Sequence, residues 1–285
     1  MTIRLEESRM ADRNKKTRRI EKSIAIDAPI DAVWKALTEA EELVNWFPLT
    51  ADSKPGVGGF IAGSWGEGEA SGTMPIDIWE PPHRLRTTWT VKDEQGNPVV
   101  LAQDWELESR GGKTIVRLVD SGWLEDDSWD DQYDATDRGW DFELGGLKHY
   151  LEKHRSRQRR VVWAKKRIDV SLEEAWRRVM GSDGLMREGA VEHLKAGDRY
   201  GLVTGDGEEW QGVVRVINPP RDFAATVEPL NSAYLRVYID DRCYGPGVKQ
   251  VQLWLSLFGY DERSVADLQQ KYDRLLATLF PELAA

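Results

Sequence analysis

The segment Ile26-Asp27-Ala28-Pro29-Ile30-Asp31-Ala32-Val33-Trp34 returns 142 positions later as Ile168-Asp169-Val170-Ser171-Leu172-Glu173-Glu174-Ala175-Trp176. Each copy follows a strand-like stretch opened by paired arginines, Arg18-Arg19 and Arg159-Arg160. A second pair of segments, Ile78-Trp79-Glu80-Pro81-Pro82-His83 and Val216-Ile217-Asn218-Pro219-Pro220-Arg221, recurs at a spacing of 138. Recurrence in the same order at nearly the same spacing marks a duplication, so whatever one half folds into, the other must also satisfy. With 285 residues the chain can hold two cores, and a domain of about 140 residues can bury most of its apolar surface. The expected organisation is a disordered arm over residues 1–17, a domain over 18–154, a linker over 155–159 and a second, divergent domain over 160–285.

Within each copy the apolar pattern switches from one period to the other. Ile30, Val33, Trp34 and Leu37 form a helical stripe, repeated by Leu172, Ala175, Trp176 and Val179. Pro29 suits the first turn of a helix, and Ser171 with Glu174 has the spacing of a capping box. The last helix of the first copy aligns Trp140, Leu144, Leu147 and Leu151; that of the second aligns Val265, Leu268, Tyr272, Leu275 and Leu279. Between these helices Leu85, Thr87, Trp89 and Val91, then Leu101, Gln103, Trp105 and Leu107, alternate as strands do. In the second copy Val251, Leu253, Leu255 and Leu257 alternate after a turn at Gly245-Pro246-Gly247. Pro81-Pro82 and Pro219-Pro220 cannot lie inside a central strand and mark the turns between strands. The fold class expected of each half is α+β, an antiparallel sheet with a long helix across one face.

A net charge of −10 sets a long-range repulsion against nucleic acid, and no apolar run has the length of a membrane span. Neither nucleic acid nor a membrane is expected as a partner. The basic stretches, seven Lys or Arg in residues 1–20 and five in Lys153–Arg160, read as a tail and a solvated linker. The N-terminus lacks the apolar segment of a secretory signal, and Cys243, the single cysteine, can form no internal disulfide. A cytoplasmic location is expected.

Taken as a set, Ala28-Pro29 with Val33-Trp34 and Leu37, Trp46-Phe47, Gly58-Gly59, Glu80-Pro81-Pro82, Arg110-Gly111-Gly112, Ser121-Gly122 and Gly139-Trp140 with Leu144, Leu147, Lys148, Tyr150, Leu151 and Glu152 resemble the activator-of-Hsp90-ATPase-like family of the START/Bet v 1 (SRPBCC) superfamily. The resemblance implies two tandem helix-grip domains, each a curved antiparallel sheet wrapped around its long C-terminal helix, with a cavity between sheet and helix. The second copy departs from the pattern, with Met186-Arg187 where Trp46-Phe47 would be matched and no Gly-Trp at its last helix.

An empty cavity of about 300 Å³ would cost roughly 7 kcal/mol at about 24 cal/mol per Å³, comparable with the whole stability of a domain, so such a cavity must hold water or a ligand or else collapse. Trp46, Trp65, Trp89, Trp105 and Trp140, with Leu144 and Leu147, are the candidate ligand-binding residues of the first domain, and core packing is the alternative role for each tryptophan. The expected partner is an apolar or aromatic small molecule. An enzyme of the polyketide cyclase or hydrolase type and a co-chaperone-like protein-interaction module are the two other functions that the resemblance allows. No catalytic residue, metal ligand or cofactor is assigned: the four histidines form no metal-ligand spacing, His83 and His149 read as surface residues, and Glu67, Glu69 and Asp77 as solvated. The acid-rich segment from Glu125 to Asp137 reads as a mobile loop ahead of the helix.

Overall fold

The computed structural model describes residues 16–186, 191, 193–241 and 248–281. The first fifteen residues of the basic arm, Arg187, Cys243 and the Gly245-Pro246-Gly247 turn lie outside them. The first sheet comprises β1 (Thr17–Ile26), β2 (Thr50–Lys54), β3 (Phe60–Ser64), β4 (Ser71–Glu80), β5 (Arg84–Lys92), β6 (Pro98–Arg110) and β7 (Lys113–Leu124), in the order β1-β7-β6-β5-β4-β3-β2. The second comprises β8 (Arg159–Ile168), β9 (Arg199–Val203), β10 (Glu209–Asn218), β11 (Asp222–Val227), β12 (Ala233–Asp240) and β13 (Lys249–Phe258), in the order β8-β13-β12-β11-β10-β9. In both, neighbouring strands are antiparallel, the first strand sits beside the last, and the others run back in sequence order. Helices α1 (Ile30–Thr38), α2 (Ala40–Leu43) and α3 (Asp130–His149) belong to the first copy; α4 (Leu172–Met180) and α5 (Glu262–Leu279) belong to the second.

The duplication extends to single hydrogen bonds. After Pro81-Pro82, the amide of His83 donates to Glu80 O and the amide of Leu107 to His83 O; after Pro219-Pro220, Arg221 donates to Asn218 O and Ile239 to Arg221 O. The register of the β4–β5 pair shifts between Ile76 and Ile78, and that of β10–β11 between Val214 and Val216. These irregularities stand 138 positions apart, so the two sheets bend at the same place. Each half is a helix-grip domain, and the α+β class holds for both.

By contact the chain divides into two compact units, Met1–Leu43 with Thr50–Trp140, and Val44–Leu49 with Asp141–Ala285. The second half of α3 and the strap 44–49 are thus counted with the second unit. In the first unit, α1 buries Val33, Trp34 and Leu37, the stripe its periodicity places together, and Trp34 meets Trp79 edge-on at 5.0 Å. In the second unit, the corresponding stripe Ala175, Trp176 and Val179 joins Tyr272 and Leu276 of α5 and the inward residues of β10 to β13 in one core.

Ser171 caps α4 by accepting the Glu174 amide at 3.2 Å, but the reciprocal half of the capping box is missing because the Glu174 carboxylate is drawn to Arg177 and Arg178, each at 2.7 Å. A Ser171→Ala variant is expected to lose about 1 kcal/mol of stability, read as a lower urea midpoint with unchanged slope. Pro29 stands one residue before the first turn, at the N-cap of α1. The acid-rich segment differs from its sequence reading. Asp127–Trp129 form a 3-10 turn and α3 starts at Asp130, with Asp130 paired to Arg18 and Asp137 to Lys22. Carboxylates in a first helical turn meet the positive end of the helix dipole, which favours helix over loop there.

Candidate functional site

Strand pairing in the first unit sets Thr87 of β5 opposite Gln103 of β6, and Gln103 opposite Asp120 of β7. These three share the inward face with Leu85, Leu101, Trp105 and Leu118, because side chains two apart on a strand point the same way. They are 1%, 8% and 0% exposed, so a polar row crosses the middle of an otherwise apolar sheet face. Burying such groups is costly unless they are paired. Asp120 is paired three times: the Trp123 indole donates to Oδ1 at 2.8 Å, the Trp140 indole to Oδ2 at 3.0 Å, and Gln103 supplies a third hydrogen bond. Burial still outweighs these donors and pushes its carboxyl up to about 6.

The structure brings some of the sequence-predicted residues together. Trp105 and Trp140 meet edge-on, 5.5 Å between ring centres, both buried, with Asp120 bridging sheet to helix through the Trp140 indole. Trp89 lies across from Leu101 and is half-buried. Trp65, just beyond the end of β3, is also half-buried. Trp46, Leu144 and Leu147 are buried but fall in the second unit, where Trp46 stacks on Phe47. Glu67 and Asp77 are exposed and Glu69 half-buried. Asp120 is the residue that the sequence reading missed. Its signal was the alternation Thr114, Val116, Leu118, Asp120, which ends an inward-facing series on a carboxylate.

His83 is exposed, as its turn suggested, whereas His149 is not a surface residue. Within the second unit its ring stacks on Tyr234 and its Nε2 bonds Ser232 O at 2.6 Å. A π-helical turn at Tyr150–His154 prolongs α3 and brings His154 Nε2 to the same oxygen at 3.2 Å. A single apolar stripe shows one buried face of a helix; His149 lies on a second face, covered by residues of β12 and β13. Desolvation holds its imidazole down at about 4, so it stays neutral at physiological pH.

Fold and site together define a helix-grip domain whose sheet face is lined with tryptophan and crossed by a polar row. Residues 27–152, within the first domain, match the family described as Activator of Hsp90 ATPase homolog 1-like protein. No curated protein matches the chain. Similar solved structures include MLL2253 from Mesorhizobium loti, 22% identical, covering 48% of this chain and 98% of that one with a TM-score of 0.43. The di-domain ARO/CYC BexL from the BE-7585A biosynthetic pathway is 18% identical over 92% of this chain and 94% of its own, with a TM-score of 0.43. The Aha1 dimer from Colwellia psychrerythraea is 23% identical over 49% and 99%, with a TM-score of 0.41.

Proposed function

We propose that the first unit holds a small, largely apolar or aromatic molecule against the inward face of its sheet, with Gln103 and Asp120 fixing the polar end of that molecule. The observation that carries this reading is the buried row Thr87, Gln103 and Asp120 beside the half-buried Trp89. A pocket that recognises rather than merely absorbs an apolar body needs a few convergent polar groups on apolar walls, and a core with no ligand to orient would be more stable with apolar residues in that row. Nucleic acid and membrane play no part in this reading. The chain is acidic, and no helix among the described residues is long and apolar enough to cross a membrane.

The test is a thermal-shift and tryptophan-emission screen of phenols, aromatic acids and hydrocarbons against the full chain. A ligand at one hundred times its Kd is expected to add about 2.7 kcal/mol of stability by linkage. Gln103→Leu is expected to weaken a phenol about fivefold while leaving a hydrocarbon of the same shape unchanged, since one hydrogen bond is worth about 1 kcal/mol. Equal weakening of both would remove the polar row from recognition. No shift from any compound would remove the reading itself.

Acid–base chemistry on the same bound molecule is the second reading, favoured by a buried carboxyl that titrates at about 6. The indoles and Gln103 already engage both of its oxygens, which supports binding as the first reading. A turnover lost in Asp120→Asn with ligand affinity retained would reverse that order.

A further inference from the structure

We propose that the second unit carries a separate groove for a small carboxylate with an apolar body, received by Arg159 and Arg160. The groove has a volume of about 470 Å³, within the range of small-molecule sites, and lies between the strap 44–49, the start of β8 and the first turns of α5. Its apolar wall is Val44, Leu49, Val161, Val265 and Ala266. All of these residues belong to the second unit.

Arg159 is the unusual element. It is 8% exposed, yet its Nη2 donates to two carbonyls, Phe47 O at 3.2 Å and Pro48 O at 2.5 Å, rather than to a carboxylate. Among the described residues its hydrogen bonds run only through the amide and Nη2, its guanidinium carbon lies 5.6 Å from the Trp254 ring centre, and the residue lines the groove. The acid whose charge it feels is Glu143, and burial pushes that carboxyl up to about 7 while it pulls the Arg159 guanidinium down to about 10. A buried cation with no hydrogen-bonded carboxylate is costly, and a planar guanidinium is the group best suited to binding a carboxylate through two parallel hydrogen bonds.

The surroundings are built to keep this cation in place. Asn45 Oδ1 accepts the Arg159 amide at 3.0 Å, and Asn45 Nδ2 donates to Tyr150 Oη at 3.3 Å, fastening the strap. Gln269 at the groove's edge is committed to the backbone of Trp163, accepting its amide at 2.8 Å and donating to its carbonyl at 3.1 Å. Arg160 at the rim pairs at 3.5 Å with Glu262, whose side chain is 85% exposed. Such a surface pair holds little energy, so Arg160 is free to turn to a second ligand oxygen.

Octanoate is the probe. Titrated into the full chain and followed by amide NMR, it is expected to give saturable shifts at residues 44–49, 159–161 and 265–269. Inorganic phosphate and 1-octanol are each expected to bind at least tenfold more weakly. Ala266→Trp fills the groove from an exposed helix position and leaves Arg159 in place; it is expected to abolish the shifts with the rest of the spectrum retained. Arg159→Lys, which keeps charge but loses the fork, is expected to weaken octanoate about tenfold. The proposal is overturned if phosphate binds as well as octanoate, if octanol does, if Ala266→Trp leaves octanoate binding intact, if the shifts fall on β5 to β7 instead, or if the folded chain shows none.

Discussion

Gly145→Ala is expected to destabilise the second unit by about 2 to 3 kcal/mol, although alanine in place of glycine should stabilise an isolated helix by about 1 kcal/mol. A Cβ built on Gly145 falls 2.3 Å from Tyr234 Oη, a hydroxyl held in a stack whose rings, Phe142 and Tyr234, lie 5.0 Å apart and 10° from parallel. Tyr234 cannot simply turn away. Its ring also stacks with His149 at 5.4 Å, and its strand is fixed by pairing with Ser256 of β13. Removing only the hydroxyl should restore room, because the next atom, Tyr234 Cζ, stands at 3.4 Å, an ordinary contact. In a Tyr234→Phe background Gly145→Ala is therefore expected to be neutral or stabilising, a coupling of more than 2 kcal/mol in a double-mutant cycle. Gly146→Ala is the control. Its Cβ would meet Trp46 O at 3.5 Å, so it should gain up to about 1 kcal/mol from helix propensity. Equal urea midpoints for Gly145→Ala and Gly146→Ala would show that the close approach of Tyr234 does not exist.

Loss of the Asp120 carboxylate is expected to have an effect of similar size in the first unit. Asp120→Ala leaves the indole N–H groups of Trp123 and Trp140 without their acceptor, at about 1 to 3 kcal/mol for each buried orphan. Asp120→Asn keeps one acceptor and should cost less, but it changes the response to pH. The carboxyl titrates near 3.8 when free and at about 6 in the fold, so between those values the native state holds more protons than the unfolded one. Stability contributed by this group is therefore greatest below about pH 4, declines as pH rises through 6, and is absent above that. The shift of about two units corresponds to roughly 3 kcal/mol. Glu143 is raised in the same sense, so the informative quantity is the difference between wild type and Asp120→Asn measured by urea unfolding from pH 4 to 7. A difference independent of pH would mean that Asp120 is ionised and solvated as in the unfolded chain.

The two effects arise five residues apart on one helix, at Trp140 and Gly145 of α3. Trp140, midway along α3, bonds Asp120 within the first unit; Phe142, Gly145 and His149, which follow it, are packed by β12 and β13 within the second. This accounts for two features of α3 that a free-standing helix would not favour. The Gly145-Gly146 pair lowers its intrinsic propensity by about 2 kcal/mol, and two histidines are buried near its end. Both features become intelligible once an aromatic sheet surface is the helix's neighbour.

Local periodicity alone specified much of this protein. Apolar residues at three- and four-residue steps marked Val33, Trp34 and Leu37 and their counterparts in α4, alternation put Leu101, Gln103, Trp105 and Leu107 on one face, and the repeated Pro-Pro pairs placed the same turn in both halves. Those signals are legible because helix and strand geometry convert sequence spacing directly into direction. The tertiary structure alone decided what depends on pairing between distant segments. Strand register joined Thr87, Gln103 and Asp120, which span 33 positions of sequence, into one row. The approach of Tyr234 made Gly145 obligatory, and stacking on Tyr234 and Phe258 turned His149 and His154 from polar helix residues into buried ones. None of these has a local signature, because the row depends on which strands pair and the atoms that constrain Gly145, His149 and His154 lie some 80 to 110 residues away along the chain.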